Sequence, residues 1–98
     1  MASQLNVYLC GGKRLRLGVK AQDDLVNYLK DKLRNEVEQD PNLSQSRLEN
    51  LGFRYVERWL SLRLGYPANL TMAGALNVAS LVNLAVSDVL WEQIREGR

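Results

Sequence analysis

Lys13, Arg14, Arg16 and Lys20 place four cations within eight residues, with no carboxylate among them. Arg14 and Arg16 alternate with Leu15, Leu17 and Val19. In an extended strand successive side chains project from opposite faces, so the two arginines share one face and the three apolar residues the other. Guanidinium groups presented at a strand repeat can pair with phosphate or take the O6 and N7 atoms of guanine together. An edge strand kept soluble by charge has the same pattern. Gly11-Gly12-Lys13 resembles part of a phosphate loop, but a Walker loop needs a glycine five residues before its Gly-Lys and a hydroxyl residue after it. Val7 and Arg14 hold those places, so nucleotide binding is not expected.

Other chemistry is scarce. The chain has no histidine and one cysteine, Cys10, so an intramolecular disulfide and a four-ligand His/Cys zinc site are both excluded. Cys10 reads as a small apolar residue of a strand. No histidine can activate a serine. Asp23 and Asp24 are adjacent, which on a helix turns them about 100° apart, so they cannot easily share a substrate. Glu36, Glu38 and Asp40 read as a solvated helix end. Neither enzyme activity, a metal, nor a cofactor is expected.

The residues that would position the basic segment form one domain. At 98 residues, 46% apolar and 24% charged, the composition is that of an ordinary globular domain with a thin core, which oligomerisation would help. The net charge of +2 says little; its local asymmetry can steer an anionic partner. The first residues lack a basic stretch followed by an apolar run, so no secretory signal is expected, and Asn69-Leu70-Thr71 reads as a chance glycosylation sequon. Residues 70 to 90 are the least polar stretch, but Asn77, Ser80, Asn83, Ser87 and Asp88 interrupt it. No membrane association is expected, and the cytoplasm is the default location.

The fold expected is α+β and mostly helical, with one or two short N-terminal strands followed by three helices. Leu5, Val7 and Leu9 alternate with Asn6 and Tyr8 as the basic segment alternates further on, and Gly11-Gly12 between them suits a tight turn, giving a hairpin. The alternative is that one segment alone is a strand and pairs with its copy in a second chain. Leu25, Leu29, Leu33 and Val37 recur every four residues on a first helix from about Gln22, with Asp23 and Asp24 at its positive end. Asp40-Pro41-Asn42 stops it. A second helix begins near Ser44 or Ser46, with Ser46 and Glu49 fitting a capping box. Its apolar face runs through Leu48, Leu51, Tyr55, Val56, Trp59 and Leu60, and Gly52 suggests a close helix contact. Gly65-Tyr66-Pro67 breaks the chain, and a third helix from about Asn69 to Glu96 has only a narrow polar stripe, so it should be buried in its own domain or between subunits.

The order strand, amphipathic helix, loop, and second helix opening with Ser44-Gln45-Ser46-Arg47 resembles the ribbon-helix-helix family of DNA-binding proteins. Leu5-Asn6-Val7-Tyr8-Leu9 together with Leu48-Glu49-Asn50-Leu51-Gly52-Phe53-Arg54 is similar to relaxosome accessory proteins of conjugative plasmids, the TraM type. The resemblance implies a homo-oligomeric DNA-binding protein. Its two-chain ribbon would carry Arg14 and Arg16, or else Asn6 and Tyr8, into the major groove. Lys13, Lys20, Ser44, Ser46 and Arg47 would hold phosphates, the last three at a helix N-terminus. Residues 1–64 would form the ribbon-helix-helix-like portion. Residues 65–98 would add a helical oligomerisation element whose interface includes Leu81, Val82, Val86 and Val89, giving a homodimer or tetramer. About six neutralised phosphates per dimer correspond to a log–log salt slope near −5, at ~0.9 per phosphate. The competing expectation is a non-enzymatic protein-interaction, adaptor or inhibitor module of phage or plasmid origin, with the third helix as its partner interface.

Overall fold

A computed structural model of the chain describes residues 4–96. Strands β1 (Leu5–Leu9) and β2 (Lys13–Leu17) pair antiparallel, and helices α1 (Val19–Gln39), α2 (Gln45–Leu64) and α3 (Met72–Arg95) follow. The architecture is the α+β, mostly helical one the residue pattern predicts. The hairpin closes within one chain. Gly11 and Gly12 both take positive φ, at 89° and 75°, a conformation that residues with a Cβ rarely adopt.

Val7, Leu9 and Leu17 point inward from the hairpin onto a helical core. Leu25, Leu29, Leu33 and Val37 come from α1, Leu48, Val56 and Leu60 from α2, and Val78, Val82, Ala85, Val86 and Val89 from α3. The helices run alternately. Lys30 meets Asp88 and Arg34 meets Glu92, so α1 and α3 are parallel. Helix α2 runs back between their ends, and Gly52 brings it close to α3, where an added Cβ would lie 2.7 Å from a Val82 methyl. The hairpin therefore sits where α1 and α3 begin and α2 ends.

Several boundaries shift for identifiable reasons. Helix α1 starts at Val19, not near Gln22, because Gly18 alone links it to β2 and Gln22 is already inside, its side-chain amide donating to the Leu17 carbonyl. Asp23 and Asp24 consequently lie beyond the first turn. Ser44, not Ser46, caps α2: its hydroxyl accepts the Arg47 N–H at 3.1 Å. The expected Ser46–Glu49 box does not form, and the Glu49 carboxylate accepts from the Gln45 amide instead. Thr71 caps α3, accepting from Gly74 N–H at 3.0 Å while donating its hydroxyl to the Tyr8 carbonyl at 2.9 Å. Cys10 is exposed in the turn, outside the strand in which it was expected.

The third helix turns opposite to expectation. Val82, Val86 and Val89 are buried in the core of a single chain and Leu81 is half-buried against it, so the predicted interface Leu81, Val82, Val86 and Val89 is mostly interior. Met72, Leu76, Leu84, Trp91 and Ile94 are the large apolar residues of α3 that remain exposed. By length and composition alone α3 could cross a membrane, an 18-residue stretch of it having a mean hydropathy of 1.5, but a third of that stretch is buried inside the fold. At the far end of α1 the Tyr55 hydroxyl donates to Glu36, and that bond with a carboxylate pushes the phenol pKa up to about 12.

Candidate nucleic-acid interface

Register decides which hairpin residues act together. Tyr8 stands opposite Arg14 and Asn6 opposite Arg16, so all four belong to the face turned away from the core. Tyr8, Arg14 and Arg16 are exposed and Asn6 is half-buried. The Asn6 side-chain oxygen is buried without a hydrogen-bond partner, and its backbone carbonyl accepts from the Asn77 amide. Of the paired residues proposed for base contact, Arg14 and Arg16 are the freer.

The two sheet edges differ. On the outer side of β1, the Tyr8 carbonyl accepts from the Thr71 N–H and hydroxyl, the Asn6 carbonyl from Asn77, and the Cys10 N–H donates to Asn69. That edge is occupied by the start of α3 and cannot take a strand from a second chain. The outer edge of β2, the strand with the arginines, pairs with no other strand among the described residues.

A second row of cations runs along α2. Arg47, Arg54 and Arg58 fall at i, i+7 and i+11, one stripe of a 3.6-residue helix, and all three are exposed. Beyond Arg58 the stripe continues through Leu62 to Tyr66 at the C-terminal end. There the Lys13 ammonium lies 4.1 Å from the centre of the Tyr66 ring, a cation–π contact that joins the hairpin to the stripe. Three shallow concavities follow this path. One of about 640 Å³ includes Tyr8, Lys13 and Arg14, a second of about 490 Å³ includes Arg58, Leu62 and Tyr66, and a third of about 330 Å³ lies between Arg47 and Arg54. With 20 residues in α2, the track spans at least ~30 Å.

The predicted phosphate-holding residues therefore form two groups. Lys13 and Lys20 lie with Arg14 and Arg16 near the hairpin, all exposed. Ser44, Ser46 and Arg47 lie at the opposite end of α2, where the Ser44 hydroxyl is engaged by the cap. Arg54, Arg58 and Tyr66 bridge the groups, and composition-based reasoning passed over them. For the two arginines the signal in the sequence is their i+7 and i+11 spacing from Arg47.

Charge is segregated across the molecule. Segments 13–20 and 44–66 hold eight of the 13 cations and two of the 11 carboxylates. Of those two, Glu57 accepts the Leu70 N–H and Glu49 accepts from Gln45. Among the described residues, ion pairs join Lys30 to Asp88 and Arg34 to Asp31 and Glu92, all on the α1–α3 side. The Arg34 hydrogen bond holds the Glu92 carboxyl below its ordinary pKa. No cation of the hairpin or of the α2 stripe is so paired. Among the described residues no group of three or more His, Cys, Asp or Glu side chains could hold a metal ion.

No family model, no curated protein and no solved structure matches the chain. The resemblance to ribbon-helix-helix proteins rests on the residues quoted for it.

Proposed function

We propose that this protein binds DNA through the face formed by β2, the hairpin turn and the outer stripe of α2. The observation that carries the reading is the row of six exposed cations on this face, Lys13, Arg14, Arg16, Arg47, Arg54 and Arg58, none of which forms an ion pair among the described residues. Structural surface charge is ordinarily interspersed with its opposite sign. Here carboxylates are concentrated elsewhere, which favours a polyanion on one side only.

The two parts of the face suit different tasks. A two-stranded ribbon fits the major groove, where Arg14 and Arg16 would reach base edges with Tyr8 beside them. Arg47, Arg54 and Arg58 would follow a phosphate backbone and fix the orientation of the protein on it. In this arrangement one chain supplies the whole ribbon, whereas the family resemblance implies a ribbon shared by two.

The test is a fluorescence-anisotropy titration of the full chain against a mixed-sequence duplex at several salt concentrations. Five phosphate contacts per chain give a log–log slope near −4.5, a loss of roughly 500-fold in affinity between 50 and 200 mM salt. Absence of binding at 50 mM salt would remove the proposal. A slope near zero would remove it equally, since contact would then not be made through these cations.

A further inference from the structure

We propose that the outward face of α3 is the interface of a two-fold symmetric dimer, in which α3 lies antiparallel against α3 of a second copy of this chain, centred between Asn83 and Leu84. This goes beyond nucleic-acid binding and stands without it, since a different surface carries it.

Three observations support the assignment. First, from Met72 to Ser87 the helix has no charged residue, although its outer face is open to solvent. Met72 is 81%, Leu76 71%, Leu84 50%, Trp91 59% and Ile94 64% exposed. These five side chains leave roughly 700 Å² uncovered on each chain, close to the ~800 Å² per partner of a standard interface. Scattered exposed leucines are ordinary, but five large apolar residues exposed along one face of a single helix are not.

Second, the stripe is self-complementary. Leu76 and Trp91 are equidistant from the point between Asn83 and Leu84, and so are Ser80 and Ser87. A two-fold axis there sets Leu76 against the second copy's Trp91 and Ser80 against its Ser87. Met72 meets the Ile94–Arg95 end. A closed two-fold interface requires one patch to fit itself in this way. The small Ser80 and Ser87 flank Leu84 at the centre and permit close approach of the helices, while the other large residues, Met72, Leu76, Trp91 and Ile94, lie toward the ends.

Third, the face is poorly suited to a lipid surface. Helices that lie in a membrane interface flank their apolar face with lysine and arginine. Here Ser80, Asn83 and Ser87 lie within the apolar stripe, and Asp88 and Glu92 follow it. In the dimer the hairpins occupy opposite ends of the paired helices, about 35 Å apart along the 24-residue α3, at a rise of ~1.5 Å per residue.

Sedimentation equilibrium of the full chain at about 100 μM, without DNA, tests the dimer. The expected mass is about 22 kDa, twice the 11.1 kDa chain. Leu76→Glu and Trp91→Glu change exposed side chains, so each is expected to give a monomer with the circular dichroism spectrum of the parent. Orientation is tested in a Cys10→Ser background. Asn83→Cys, beside the axis, is expected to form a disulfide-linked dimer under mild oxidation, whereas Met72→Cys, far from its copy, is not. A parent chain that sediments as a monomer overturns the proposal. So does a Leu76→Glu variant that remains dimeric, Met72→Cys cross-linking as readily as Asn83→Cys, or a parent chain that partitions as a monomer onto phosphatidylcholine vesicles.

Discussion

Replacing Gly74 with alanine is expected to lower stability by about 3 kcal/mol, although the same exchange in an open helix adds up to ~1 kcal/mol. A Cβ at residue 74 would overlap the Tyr8 carbonyl oxygen, with the Tyr8 backbone carbon and nitrogen close behind. Backbone cannot rotate aside as a side chain can. That carbonyl also accepts from the Thr71 N–H and hydroxyl, so moving α3 away from β1 breaks the cap and the tie between hairpin and helix together. For a domain of this size the loss corresponds to a fall in Tm of roughly 10–20 °C. Gly52→Ala is the comparison: it meets a methyl of Val82 rather than backbone, and should cost well under half as much. A Gly74→Ala melt at or above that of the parent would contradict the packing of α3 on β1.

Joint replacement of Arg14, Arg16, Arg54 and Arg58 by alanine is expected to reduce the affinity for duplex DNA at least ~100-fold at 50 mM salt, and to flatten the log–log slope by about 2, at ~0.9 for each of the phosphate contacts of Arg54 and Arg58. The slope is the more diagnostic quantity, because each lost phosphate contact removes its own released counterions. All four side chains are exposed and make no ion pair among the described residues, so the thermal melt should be nearly unchanged. Arg95→Ala, a single change near the carboxylates of α3, should alter affinity by no more than about two-fold. If the quadruple variant kept the slope of the parent, phosphate contact would have to lie elsewhere.

The hairpin and the helical segments were readable because two periodicities decide them. Alternation through Leu5, Val7, Leu9 and through Leu15, Leu17 defines strands, and the double glycine between them closes the turn. Leu25, Leu29, Leu33 and Val37 define the buried face of α1 as directly. Helix α3 was legible as a helix but not in its rotation. Valines at 78, 82, 86 and 89 make one apolar stripe, and Met72, Leu76, Leu84, Trp91 and Ile94 make another. Hydrophobicity alone does not say which faces the core. The close approach of Gly52 to Val82 reveals the answer, and it is a tertiary fact. Ser44 and Ser46 were degenerate as caps for a similar reason, since either hydroxyl could reach an amide three residues on. The α2 stripe is the converse case. Arg47, Arg54 and Arg58 carry a helical period in plain view, but only the contact between Lys13 and Tyr66 joins them to the hairpin.

In the proposed function one face of the molecule, and not another, meets DNA. Backbone amide spectra of the labelled chain, recorded while a short duplex is added at low salt, test it residue by residue. Shifts are expected to concentrate at residues 8–16 and along the outer stripe from 47 to 66, while the α3 face around Leu76, Leu84 and Trp91 stays unmoved. Shifts confined to that apolar face, or to the acidic side around Asp31 and Glu92, would contradict it.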